Sequence, residues 1–124
     1  MSTSDVANKG LYLLLTLRNQ MKLYHWQTKS YGRHKASDEL VEELDNLTDK
    51  YIEAYSGAYQ NINLTNTMNI ELVNTCDKTI SSYLKANKKI INETFDQIKD
   101  TELLNIKDEL IGVIDKTIYL FRLE

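Results

Sequence analysis

The sequence predicts an all-α fold, a four-helix bundle with one long connection, and three observations carry that prediction. Proline is absent from the 124 residues and glycine occurs only four times, so helices need not be interrupted and strand-and-turn architectures are disfavoured. Apolar residues recur at three- and four-residue spacing over four separate stretches, which is the period of one helix face. Between the second and third stretches lies an Asn- and Thr-rich segment, long enough to carry the chain back along a bundle. The length suits one domain with one core, spanning residues 1–124, and is too short for two.

Ser2 to Asp5 offer N-cap candidates, and Val6, Leu13, Leu14, Leu17, Met21 and Tyr24 follow at helical spacing. They predict a first helix over about 5–28. The polar stretch from Thr28 to Arg33, with Gly32 for a turn, is a short connection. A second helix runs to about Ala58 on Leu40, Leu44, Leu47 and Tyr51, with Val41, Ile52 and Tyr55 alongside and Gly57 at a fraying end. Asn and Thr compete for backbone hydrogen bonds. In Asn61–Asn74 they leave two options for Met68, Ile70 and Leu72: a short helix, or an extended piece lying on the bundle. Ile80, Tyr83, Leu84, Ile90, Ile91, Phe95 and Ile98 predict a third helix over about 76–98. After a polar hinge near Asp100 and Thr101, a fourth follows over about 102–121 on Leu103, Ile106, Leu110, Val113 or Ile114, Thr117 and Leu120.

Composition removes several function classes. The longest strongly apolar run, Leu11 to Leu15, falls far short of the roughly 20 residues that span a bilayer. The N-terminus has no basic stretch followed by an apolar one, so a cytoplasmic location is expected, or virion and host cytoplasm for a viral chain, and not secretion. A single cysteine, Cys76, rules out an intrachain disulfide and a multi-cysteine zinc site. It is expected to be a buried or half-buried structural thiol. The net charge of −3 and the absence of a basic run make autonomous DNA binding unfavourable.

The stretch from Tyr24 to Tyr55 carries the chemistry. It holds both histidines, His25 and His34, the only tryptophan, Trp26, and a run of carboxylates. On the second helix, His34, Asp38, Glu42, Asp45, Asp49 and Glu53 form a stripe displaced from the apolar face. Taken alone, an acidic stripe is usually a solvated face. Here His34 and Asp38 are four apart, as are Asp49 and Glu53, the spacing at which side chains on adjacent turns share a cation. The two pairs are centred roughly 22 Å apart at the helical rise, too far to close on one metal. A second copy packed antiparallel about a two-fold axis would set each pair opposite the other, giving two equivalent intersubunit sites. His25, at the edge of the first helix's apolar face, is a candidate fifth ligand, although a lone histidine there is more often a locally bonded core or surface residue. Two imidazoles with three carboxylates suit iron, manganese or zinc. Glu42 and Asp45 are positioned to support the imidazoles.

Residues 23–57, LYHWQTKSYGRHKASDELVEELDNLTDKYIEAYSG, resemble the corresponding region of Dps-type miniferritins, in the ferritin-like superfamily. That family has a His-Trp pair closing its first helix, then a His four residues before an Asp, an Asp eleven residues on, and a Glu four further. His25-Trp26, His34, Asp38, Asp49 and Glu53 match in identity, and the spacings of four, eleven and four match without a gap. The loop between the histidines is shorter than the family's usual form and lacks its Gly-Pro turn. The chain also lacks a lysine-rich tail and is similar to the compact ferritin-like proteins of large DNA viruses. The resemblance implies a ferritin-like bundle with a ferroxidase centre shared by two subunits, His25, His34 and Asp38 from one and Asp49 and Glu53 from the other. It further implies iron(II) oxidation, preferentially by hydrogen peroxide, with Trp26 close by, in a two-fold dimer or a dodecameric shell that stores ferric mineral. Manganese or zinc would be substitutes. The competing expectation is a non-catalytic assembly protein, of a virion or nucleoid, that retains the same bundle. DNA compaction through a patch of Lys85, Lys88 and Lys89 is a weaker third.

Overall fold

In the computed structural model of the chain, which describes residues 2–124, the first helix starts at a capping box. The Ser2 hydroxyl accepts the Asp5 amide at 3.1 Å, and the Asp5 carboxylate accepts the Ser2 amide at 3.2 Å, satisfying two amides that the first turn leaves free. Helix α1 (Thr3–Gln27) ends where Thr28 turns extended. Ser30 then caps α2 (Tyr31–Ala58), its hydroxyl accepting the Arg33 amide at 3.1 Å. The remaining helices are α3 (Ile80–Phe95) and α4 (Thr101–Arg122), and the described residues contain no strand. None of these helices is long and apolar enough to cross a membrane.

Helix α3 is shorter than the periodicity predicts at both ends. Residues 77–79 form a turn in which the amides of Thr79 and Ile80 both donate to the Cys76 carbonyl, so the helix starts only at Ile80. At the other end the Ile98 amide closes on the Phe95 carbonyl at 2.9 Å, and Ile98 stays buried although it is outside the helix. Cys76 therefore lies in a turn ahead of the packed helix and is exposed, not the buried or half-buried thiol that its residue type suggests.

Helix α1 packs on α2 and α3, and α4 packs on the same two, so α1 lies diagonally from α4 and α2 from α3. One continuous core fills the centre. Leu14, Leu17, Met21 and Tyr24 of α1 meet Leu40, Leu44 and Tyr51 of α2, with Leu84, Ile91, Phe95, Leu110, Ile114 and Phe121 from the other pair. Burying each such side chain contributes about 1.5–3 kcal/mol. Of the two fourth-helix alternatives, Ile114 is buried and Val113 is half-buried, while Ile90 is 40% exposed and Ile91 points inward.

Helices α2 and α3 run in the same direction, so residues 59–79 must return the length of the bundle. The return is extended, the second of the two sequence options, and α1 supplies the reason. The Asn8 amide donates to the Asn63 carbonyl at 3.1 Å. The buried Gln20 amide pairs with both backbone groups of Val73, at 2.7 and 3.0 Å, as a neighbouring strand would. Gln27 reaches Asn74 at 2.9 Å. With side chains on α1 offering these partners, the crossover satisfies backbone groups without helical bonds of its own.

Candidate metal centre

Because the α1–α2 connection is so short, the last turn of α1 and the first turn of α2 face each other, and with them His25 and His34. The two imidazoles are stacked, with ring centroids 3.7 Å apart and planes 20° from parallel. His25 Nδ1 lies 2.7 Å from the His34 carbonyl oxygen, and His34 Nδ1 lies 2.8 Å from the His25 carbonyl oxygen. A carbonyl oxygen only accepts, so both Nδ1 atoms carry the proton. In the neutral rings the lone pair is then on Nε2, and no described residue bonds either Nε2. Ser37, itself bonded to the Arg33 and His34 carbonyls at 2.8 and 3.0 Å, sits 3.3 Å from His25 Nδ1. Fixing one ring nitrogen with a carbonyl is how proteins orient imidazoles that ligate metals through the other.

His25, His34 and Asp38 line one depression together with Tyr31, Lys35 and Glu39. Asp38 is exposed and faces Lys22 of α1, whose Nζ lies 3.8 Å away and also 5.3 Å over the Trp26 ring. Trp26 is 66% exposed, on the outer surface of the α1–α2 layer. One turn back along α1, Arg18 holds Asp45 through Nε at 3.0 Å. Asp45 is thus taken by Arg18, and neither it nor Glu42 touches an imidazole. Backbone carbonyls do the orienting that spacing had assigned to those carboxylates.

Asp49 and Glu53 lie farther down α2, both exposed, and neither has an ion-pair or hydrogen-bond partner among the described residues. The stripe does face away from the chain's own core: Asp38, Glu42, Asp45, Asp49 and Glu53 are all exposed. Within one chain, among the described residues, no three His, Cys, Asp or Glu side chains converge in a group able to hold a metal ion. The structure gathers one half of the expected ligand set at one place and leaves the other half elsewhere.

Sequence reasoning missed the polar cluster behind the histidines. Asp77, at the end of the crossover, accepts the Tyr24 hydroxyl at 2.7 Å, the Thr28 hydroxyl at 2.6 Å and the Lys29 amide at 3.2 Å. Partial burial works against its charge, but those bonds and the nearby Arg33 guanidinium outweigh it and hold the carboxyl below its usual value. Burial pushes the Tyr24 hydroxyl up, against the opposing pull of its Arg33 and Thr28 bonds. Arg33 donates to the Asp77 carbonyl at 2.7 Å, the Phe121 carbonyl at 3.0 Å and Tyr24 Oη at 3.3 Å. No spacing rule relates residues so far apart in the chain.

The model of DUF5856, described as a family of unknown function, matches residues 25–121, a span that contains all five candidate ligands. This chain belongs to the DUF5856 family. A second similarity runs nearly the whole length: 32% identity over 120 residues with a protein of Enterobacteria phage T4, described as an uncharacterized 14.6 kDa protein in the mobD-ri intergenic region. The alignment covers 95% of this DUF5856 chain and 89% of the phage protein. No solved structure matches the chain.

Proposed function

We propose that this DUF5856 protein is a Dps-like miniferritin, a ferritin-like bundle that binds and oxidises iron(II) at a centre shared between two copies of the chain. The observation that carries the reading is the reciprocal imidazole pair. Two stacked rings with both Nδ1–H groups committed to carbonyls present two Nε2 donors beside Asp38, and imidazole with carboxylate is a donor set suited to iron(II), with manganese or zinc as substitutes. The topology agrees with a ferritin-like bundle: α2 and α3 run in the same direction and a long crossover joins them.

Asp49 and Glu53 supply the other half. They are exposed, unpaired among the described residues and four residues apart, and an antiparallel partner about a two-fold axis would bring them opposite His34 and Asp38. The face that meets the partner would also contain Trp26 and Tyr31, which are 66% and 74% exposed. Single exposed aromatics are ordinary, but two at the same junction as His34 and Asp38 favour an interface. The role of the chain's own groups is to bind and orient the metal. The imidazoles donate through Nε2, the carboxylates balance charge, and Lys22 must yield Asp38 to an incoming dication. Iron(II) is the substrate. Two ions each give one electron to hydrogen peroxide, its O–O bond breaks, and two protons are taken up as two waters form.

The test is iron(II)- and peroxide-dependent growth of ferric absorbance by the purified protein. Asp49→Ala and Glu53→Ala should abolish it, since each removes ligands from both sites of the dimer. Undiminished activity in both variants would sink the assignment. A wild-type protein that dimerises yet takes up no iron, manganese or zinc would point instead to an assembly role for the same face.

A further inference from the structure

The histidines are held in register from behind. Arg33, the residue before His34, sends one guanidinium nitrogen to the Asp77 carbonyl and Tyr24 Oη and the other to the Phe121 carbonyl, with its Cζ 5.2 Å from the Phe121 ring centroid. It therefore touches α1, the end of the crossover and the last turn of α4 at once. The Asp77 carboxylate in turn holds Tyr24, the residue before His25, together with Thr28 and Lys29 of the connection. Both flanks of the connection, one beside each histidine, are thus tied to the same crossover residue. A planar fork with five donors can satisfy acceptors arriving from three directions, whereas an ammonium or a thioether cannot reproduce that geometry.

We propose that Arg33 is the positioning residue of the imidazole pair, acting through Asp77 as a latch that makes the order of the metal-binding rings depend on the docking of the crossover, a role that rests on the metal-centre reading above. The reciprocal bonds of 2.7 and 2.8 Å each join a side chain on one helix to the backbone of the other. Both require α1 and α2 to hold one relative register at their junction. That register is what Arg33 and Asp77 fix. With the latch open, the rings lose their carbonyl partners, the protons redistribute between Nδ1 and Nε2, and neither Nε2 is reserved as the unprotonated donor.

The experiment uses the full chain, metal-free, with Arg33→Met and Arg33→Lys beside wild type. Proton–nitrogen correlation spectra of the two imidazoles report the tautomer directly, a readout that a general loss of stability does not move while the protein stays folded. Wild type should show the Nδ1–H form at both histidines. Arg33→Met should show mixed tautomers at both, and its dissociation constant for zinc(II) alone should rise roughly 10- to 100-fold, the usual effect of losing a ligand's supporting partner. Arg33→Lys should recover only part of each. Both variants retaining the wild-type tautomers overturns the proposal, and if Arg33→Met fails to fold, Arg33→Lys decides on the same criterion. A protein whose tautomers respond as expected but which takes up neither zinc(II) nor iron(II) keeps Arg33 as the register of the pair and removes the metal-centre reading.

Discussion

Gly10 of α1 lies directly against Tyr51 of α2: a β-carbon on the glycine would stand 2.7 Å from the tyrosine hydroxyl and 3.2 Å from the Phe95 ring. Three helices meet at this point without a gap. Gly10→Ala should therefore destabilise the fold despite alanine's better helix propensity, by about 1–3 kcal/mol, as overpacking a close-packed core does. Thermal melts would show it. The penalty should shrink in a Tyr51→Phe background, which removes the nearest atom and leaves the others beyond 3.0 Å.

Acid should open the junction at Asp77. Its carboxyl titrates below the ordinary value of 3.8 in the folded chain. The stabilisation from the depressed value is complete above the unfolded pKa and is lost as pH falls through the folded one. Melting temperature followed from pH 7 down to about pH 2 should fall more steeply below about pH 4 in wild type than in Asp77→Asn. The variant should start lower at neutral pH, and the two curves should converge in acid.

Gln20 should govern the crossover more than the core. Its amide carries both backbone groups of Val73, at 2.7 and 3.0 Å, from a position almost wholly buried. Gln20→Met keeps the volume and removes both bonds, and should cost about 1–2 kcal/mol. The Val73 amide should then exchange with solvent much faster than in wild type, while amides in the middle of α2 remain protected.

Cys76 should be reactive in the native state. It is exposed, and its thiol is pushed below its usual value chiefly by the hydrogen bond with Thr79, at 3.4 Å, helped by nearby backbone amides. An alkylating reagent should label it without denaturant, with the rate rising through a pH below that of an ordinary cysteine. Thr79→Ala should shift that profile upward. A thiol that reacts only after unfolding would contradict the exposed turn.

The helices were legible in the sequence because each buries a face at the helical period, and most residues that define those faces are in the core, although Ile90 is exposed and Ile118 and Phe121, not Leu120, fill the core at the end of α4. The start of α3 was not, because a turn around the Cys76 carbonyl competes there with helix propagation. The crossover could not be decided between helix and extended chain from its own residues, since its conformation is set by Asn8, Gln20 and Gln27 on another helix. At the candidate site, the facing of His25 and His34 follows from a short turn, and the outward aim of the carboxylates follows from the wheel. Which group orients the rings does not follow. Asp45 had the right position on α2, but Arg18 on α1 claims it, and backbone carbonyls have no signature in side-chain spacing.

The stacking of the imidazoles makes the two histidines inseparable to substitution. His25 orients its ring on the backbone of His34, and His34 does the same on that of His25. Replacing either ring leaves the other its carbonyl partner but deprives it of the neighbour stacked upon it. The effects of His25→Ala and His34→Ala on zinc(II) affinity should then sum to more than the double variant loses, a coupling of the kind seen between residues in contact. A lineage that lost one of these residues would feel little further pressure to keep the other, so the pair should be retained or discarded as a unit.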